Sequence, residues 1–290
     1  MSMEAYLRIV EDILKNGVNK GNRTGVDTKA IAGTMFEHEM SEGFPLLTTK
    51  FVSFKRVASE LEFFIKGLTD KKWLQDRDNH IWDAWCTPEK VPYSNDEETK
   101  QKMKEERDLG PVYGFQWRHF GADYRGYDKD YTGKGIDQLE NLVNTLSEKP
   151  EDRRMLVSAW NPADIDKMAL PACHYGFQVT VIDGKLNLQW NQRSVDTALG
   201  LPYNVASYGL LLHLLAKESG LEEGKLTGAL MDTHIYENHL EGLTTQLSRK
   251  PFDPPSIETD NFTSIFDWTY EDSKVVGYEK HPSIKFEVAV

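Results

Sequence analysis

The sequence predicts an α/β protein in an α+β layout, with a sheet faced by helices. Two observations carry this. Residues 177–190 read as two alternating strands. Phe177, Val179 and Val181 alternate with Gln178 and Thr180, then Leu186, Leu188 and Trp190 with Asn187 and Gln189, and Asp183-Gly184 between them is a hairpin turn signal. Residues 4–16, 51–65, 136–146 and 205–218 space their apolar side chains for helices, the last of them apolar nearly all round.

Taken in order, the first helix (4–16) turns Leu7, Ile9, Val10, Ile13 and Leu14 mainly to one side and ends at Gly17. Residues 21–25 (GNRTG) form a glycine-punctuated loop, whose Arg23 is either a surface charge or a phosphate ligand. Residues 30–40 make a weakly patterned strand, and 44–50 (FPLLTTK) an extended approach to the helix 51–65. Glu60 sits among Val57, Ala58, Leu61 and Phe64. A carboxylate on a helix is usually solvated; a buried one has a raised pKa and can move protons. Trp73, Trp82 and Trp85 suggest local packing or a flat pocket wall. Residues 86–107 are charged and carry Pro88 and Pro92, which marks a surface insertion with no chemistry assigned. Residues 110–118 are aromatic, glycine-spaced and free of acids.

The helix 136–146 presents Ile136, Leu139, Leu142, Val143 and Leu146 on one face, and Asp152-Arg153-Arg154 precedes a strand at 155–160. That Arg pair is either ordinary surface charge or an anion anchor. Helix 205–218 is core, with His213 packed or interfacial rather than catalytic. If residues 232–239 begin as a strand, His234 and Tyr236 share a face. His239 adds a third side chain, but its spacing from His234 fits no zinc pattern. Residues 251–255 read as a proline-stiffened linker. The tail 284–290 either completes a sheet or closes on a pocket.

Composition narrows the function classes. A net charge of −12 on 290 residues argues against nonspecific nucleic-acid binding, although a local Arg cluster can still hold a small anion. Two cysteines, Cys86 and Cys173, make neither a disulfide framework nor a C-x-x-C site. With an acidic amphipathic start and no apolar run of membrane-spanning length, the expectation is a soluble cytoplasmic enzyme that needs no metal.

The chemistry concentrates in residues 171–208. The hairpin sets Cys173 near the start of one strand and Arg193 just past the end of its neighbour, so the thiol and the guanidinium come close. An opposite charge favours the thiolate. The alternative is that Cys173 is simply a small buried residue. Arg193, Ser194 and Asp196 form a polar cluster, and the amide of Asn204 can read a heterocycle.

These residues, together with Arg23-Thr24-Gly25, 44–50, Glu60, Ile81-Trp82-Asp83, 108–118, Asp152-Arg153-Arg154, 168–174, 192–204, 232–239 and Val288-Ala289-Val290, occur in the order of the folate-dependent thymidylate synthase family, which the chain resembles over nearly its whole length. The resemblance implies one catalytic domain over 1–290, with the insertion at 86–107. It implies conversion of dUMP to dTMP with 5,10-methylenetetrahydrofolate as carbon and hydride donor, and a homodimer whose sheets pack back to back. Cys173 matches the nucleophile that adds to uracil C6. Arg23, Arg193 and Ser194 match phosphate ligands, and Arg153 and Arg154 the pair lent by the other subunit. Asn204 matches the residue that reads the uracil edge, and His234 and Tyr236 those that hold the sugar hydroxyl. Glu60 matches a proton relay and Tyr113 a hydroxyl implicated in proton removal. On the folate side, Asp196 matches the pterin ligand, Trp82 a wall of that site, Lys50 a residue near the glutamate tail, and the C-terminal residues around Ala289 a closing segment.

The chain departs from the family pattern at Ala172, at Trp190-Asn191 where Tyr is common, at Leu230-Met231, at Ser53 and at Ala198. Ser53, Trp190 and Met231 are expected on the folate side. They leave open a nucleotide hydroxymethylase, in which water captures the methylene carbon. A catalytically inactive nucleotide-binding homologue is a further alternative, against which the intact Cys173, Glu60, Arg193 and Asn204 speak. Nothing in the acidic composition supports RNA binding.

Overall fold

The computed structural model describes residues 2–22 and 24–288. Strands β1 (Val18–Lys20), β2 (Thr28–Glu39), β3 (Leu156–Ser158), β4 (His174–Ile182), β5 (Lys185–Asp196) and β6 (Glu222–Tyr236) form one sheet in the order β1-β2-β6-β5-β4-β3. Neighbours are antiparallel except β5 and β6, which run parallel. The expected mixed sheet is therefore present. Its hairpin turns at Asp183 and Gly184, both with positive φ (53° and 73°), the backbone that a tight two-residue turn between twisted strands requires.

Helix α1 (Ser2–Asn16) packs on β2, while α2 (Phe54–Ile65), α5 (Tyr113–His119) and α6 (Gln138–Glu148) pack together. The connection from β5 to the parallel β6 runs through α7 (Gly200–Ser219), as parallel strands need a long crossover. The shorter α3 (Lys72–Gln75), α4 (Glu97–Glu105) and α8 (Leu240–Leu247), and a ribbon of β7 (Ser256–Thr259) with β8 (Ser273–Val276), complete the chain.

One row of the sheet explains much of the core. Phe36, Gly228, Trp190 and Phe177 are register partners across β2, β6, β5 and β4. Trp190 is fully buried and stacks on Tyr208 of α7, with ring centroids 5.3 Å apart and planes 5° from parallel. Gly228 leaves the room it needs, because a Cβ there would stand 2.4 Å from the indole. Trp190 thus lies in the core, with its indole presenting no surface to solvent.

Several expectations need correction. Arg193 lies inside β5, which continues to Asp196, rather than past the strand's end. Helix α2 begins at Phe54 because Ser53 caps it, its hydroxyl accepting the Arg56 N–H. Ile136 stands outside α6, exposed, in an isolated bridge with Phe120; Asp137 caps the helix instead. Helix α7 starts at Gly200, five residues before the apolar run. The segment 86–107 is not wholly solvated. Cys86 and Met103 are buried, and the ammonium of the buried Lys71 donates to the carbonyls of Trp85, at 2.7 Å, and Met103. Among the described residues the tail adds no strand: Phe286 packs against His239, and the Glu287 carbonyl lies 2.6 Å from His239 Nε2.

Candidate active site

Cys173 stands immediately before β4, and β5 delivers Arg193 beside it. The Arg193 N–H donates to the Cys173 carbonyl at 2.9 Å. The guanidinium donates to the carbonyls of Ala172 (3.0 Å) and Pro171 (2.8 Å), and lies 3.9 Å from Cys173 Sγ. A half-buried positive charge is therefore held against the sulfur by backbone acceptors and by the strand itself. Trp160 lies under the same guanidinium, 5.5 Å away.

From the other side, the Tyr113 hydroxyl accepts the Cys173 N–H at 2.9 Å. The Tyr113 ring stacks on both Phe64 (4.9 Å) and His174 (4.3 Å), which also meet each other at 6.3 Å, and Trp82 stands edge-on at 6.0 Å. Burial holds its phenol well above the usual range. His174 is half-buried and shares a 2.8 Å hydrogen bond with Tyr208, and desolvation pushes its imidazole down to about 3, so it stays neutral. Trp82 Nε1 donates to Glu60 Oε1 at 2.8 Å. Glu60 is buried, contrary to the usual fate of a helix carboxylate, and burial pushes it up to about 7 against the lowering effect of the Trp82 bond.

At the end of β5, Trp190, Gln192 and Ser194 alternate along one strand. Trp190 Nε1 donates to Gln192 Oε1 (3.1 Å), and Gln192 Nε2 donates to the Ser194 carbonyl (3.0 Å) and to Asn204 Oδ1 (3.1 Å). Asp196 Oδ1 accepts the N–H groups of Ala198 (2.9 Å) and Leu199 (3.1 Å), which leaves its second oxygen without a hydrogen bond among the described residues. Asp196 is also the register partner of His234, whose ring meets Tyr236 edge-on at 5.2 Å, so these two side chains do share a face.

The remaining candidates lie farther out. Lys50 is buried, its ammonium donating to the Ala198 carbonyl and lying 4.8 Å from the Phe286 ring; burial pushes its pKa down to about 8. Arg153 and Arg154 are exposed, and Asp152 grips Arg154 at 2.6 and 3.0 Å. Arg23 and Ala289 lie outside the described residues. Among the described residues, no group of three or more His, Cys, Asp or Glu is placed to hold a metal ion.

Comparison with known proteins agrees with this geometry. The family model described as thymidylate synthase matches residues 4–290. The chain belongs to the thymidylate synthase family. A bifunctional dihydrofolate reductase-thymidylate synthase of Paramecium tetraurelia is 44 % identical over 285 residues, which cover 98 % of this chain and 61 % of that protein. The thymidylate synthase of varicella-zoster virus (strain Dumas) is 42 % identical over 286 residues, covering 98 % of this chain and 93 % of the viral one. The chain thus spans about three-fifths of the bifunctional relative's length.

Within the thymidylate synthase frame, the residues that sequence reasoning left without a role are His174, Gln192, Trp190 and Tyr208. Gln192 and His174 lay inside quoted motifs, but their partners come from α7 and from neighbouring positions on β5. Alternation along the strand placed Trp190 and Gln192 on one face. It did not show that the indole nitrogen points along the strand to the next amide.

Proposed function

We propose that the protein catalyses the reductive methylation of dUMP to dTMP, with 5,10-methylenetetrahydrofolate as cosubstrate and dihydrofolate as the second product. The observation that carries this is Cys173, set between the Arg193 guanidinium and the Tyr113 hydroxyl. Cys173 Sγ adds to C6 of the uracil ring, which makes C5 nucleophilic. The negative charge that develops on O4 is met by the Asn204 amide N–H. Glu60, poised near neutrality, moves protons to and from that edge of the ring. Tyr113 keeps its phenol proton at neutral pH; it fixes the Cys173 backbone and offers its O–H as a donor.

Arg193, Ser194 and Arg23 bind the phosphate of dUMP, and His234 with Tyr236 the sugar. The folate, when bound, supplies the one-carbon unit and the hydride. The residues present fit it: the open Asp196 oxygen suits the N–H groups of a pterin, and the Trp82 indole would supply a flat apolar wall to its ring. Lys50 would have to leave the Ala198 carbonyl to reach a glutamate tail. Arg153 and Arg154 complete the phosphate site of a second subunit. Their exposure suits that role, as does the exposure of Met35, Leu156, Tyr175 and Met231 on strands of the sheet. The catalytic unit takes in the whole of 1–290. A cytoplasmic location belongs to the same reading, which a content of only two cysteines supports; no helix of the described residues is long and apolar enough to cross a membrane.

The test is to mix protein, dUMP and the folate, follow dihydrofolate by absorbance and identify the nucleotide by mass. Dihydrofolate and dTMP formed together, and lost in Cys173→Ala, establish the reaction. A hydroxymethylated nucleotide without dihydrofolate replaces it with the hydroxymethylase, and dUMP binding without release of tritium from C5 replaces it with a binding protein.

A further inference from the structure

Trp190 makes a contribution that its place in the core hides. An indole N–H can only donate, and a backbone carbonyl can only accept. Trp190 Nε1 lies 3.1 Å from one end of the Gln192 amide and the Ser194 carbonyl 3.0 Å from the other. Both partners dictate the same orientation: Gln192 oxygen towards the indole, Gln192 NH2 towards Ser194. That NH2 also meets Asn204 at 3.1 Å, so the atom of Asn204 facing it must be the acceptor Oδ1. A flipped Asn204 would set NH2 against NH2 and lose this bond. The polarity of the Asn204 amide is therefore set two side chains away, by a donor-only group.

We propose that Trp190 is a specificity-determining positioning residue, which locks Gln192 and through it Asn204 in the orientation that reads uracil rather than cytosine. The inference rests on dUMP as the substrate. Uracil presents an acceptor at O4 and a donor at N3; cytosine presents a donor at its 4-amino group and an acceptor at N3. An Asn in one orientation matches the first pattern, and in the flipped orientation the second. The packing shows why Trp190 can act as a fixed reference. Its ring is fully buried, stacked on Tyr208, and seated over Gly228, where no other residue would leave space.

The test compares dUMP and dCMP affinities of the wild-type protein and of Trp190→Phe by equilibrium dialysis, with Tm alongside. Phe keeps an aromatic ring for the stack and removes the donor, and the Tm reports the ring volume lost over Gly228. The expected result is a dUMP-to-dCMP preference narrowed about five- to tenfold, the worth of one buried hydrogen bond. An unchanged preference overturns the proposal, whatever the change in Tm. Gln192→Glu gives a second reading if the Phe variant does not fold. A carboxylate only accepts, so it still takes the indole N–H but turns the Asn204 NH2 inward, and the preference should move towards dCMP; a preference that stays with dUMP overturns the relay. A nucleotide-free readout separates the two levels. The Trp190 indole N–H should exchange slowly with solvent in the unliganded protein and faster in Gln192→Ala. Wild-type protein that binds neither nucleotide overturns the substrate assignment, and the indole exchange then decides the relay alone.

Discussion

Trp82 donates its indole N–H to Glu60 at 2.8 Å, and this single bond opposes the desolvation that pushes the carboxyl up to about 7. Removing it in Trp82→Phe should raise the Glu60 pKa further. If ionised Glu60 moves the protons, the acid limb of the kcat/KM profile then shifts to higher pH; a pH–rate profile of the two proteins checks it.

The same shift has a consequence for stability, with a definite sign. Burial favours the protonated form, so the folded state binds the Glu60 proton more tightly than the unfolded chain, where the carboxyl titrates near its ordinary 4.5. Stability is therefore lost as pH rises from 4.5 through 7, by up to about 3 kcal/mol. Glu60→Gln keeps an acceptor for Trp82 and removes the charge. It should match wild-type Tm below pH 4.5, exceed it above pH 7, and turn over slowly at both. Thermal melts across this range read the difference directly.

Cys173→Ala should leave nucleotide binding nearly intact while turnover falls by at least about 10^4-fold. The phosphate, sugar and base contacts are made by other residues, and the Cys173 backbone N–H and C=O still hold Tyr113 and Arg193. Equilibrium binding of dUMP beside single-turnover kinetics separates the two quantities. An Ala variant that retains turnover would move the nucleophile elsewhere.

The parts of this molecule that were legible in the sequence are those in which neighbours along the chain decide the outcome. Asp183-Gly184 and the alternation on either side specify β4, β5 and the turn between them, and Ala5 to Leu14 specify α1. The parallel pairing of β5 with β6 was not legible, because it depends on α7 crossing over the sheet. The burial of Glu60 depends on Trp82, which arrives from a loop beyond the end of its helix. Ile136 misled because it keeps the helical spacing of α6, yet Asp137 caps the helix one residue later. At the site, residue identities came through the family pattern, whereas the polarity of the Gln192 and Asn204 amides, set by the Trp190 indole, needed three dimensions.

Lys71 should prove to be the pin of the segment 86–107. It is fully buried, desolvation pushes its pKa down to about 8, and its ammonium bonds carbonyls at both ends of the segment, Trp85 before it and Met103 within it. Lys71→Met keeps the stem volume but leaves those carbonyls unpaired, at a cost of about 2–4 kcal/mol. Amide exchange should quicken in α4 far more than in the central sheet. Uniform loss of protection would show that Lys71 supports the whole core rather than this segment.

The exposure of Arg153 and Arg154 leads to a test of the shared site. Asp152 holds Arg154 within its own chain at 2.6 Å, and both guanidiniums stand exposed. If both reach a partner's phosphate site, Arg153→Ala/Arg154→Ala and Cys173→Ala each make inactive homodimers for different reasons. Unfolded together and refolded, or exchanged at low concentration, half of the resulting dimers carry one subunit of each kind. In such a dimer the intact Cys173 belongs to the double-Ala subunit, and the intact Arg pair to its Cys173→Ala partner. These fall in one site, so that site works and its twin lacks both. Activity should recover to about a quarter of wild type. A mixture that stays inactive would mean that the Arg pair serves its own subunit's site, or that the two chains do not associate, and sedimentation of the mixture tells these apart.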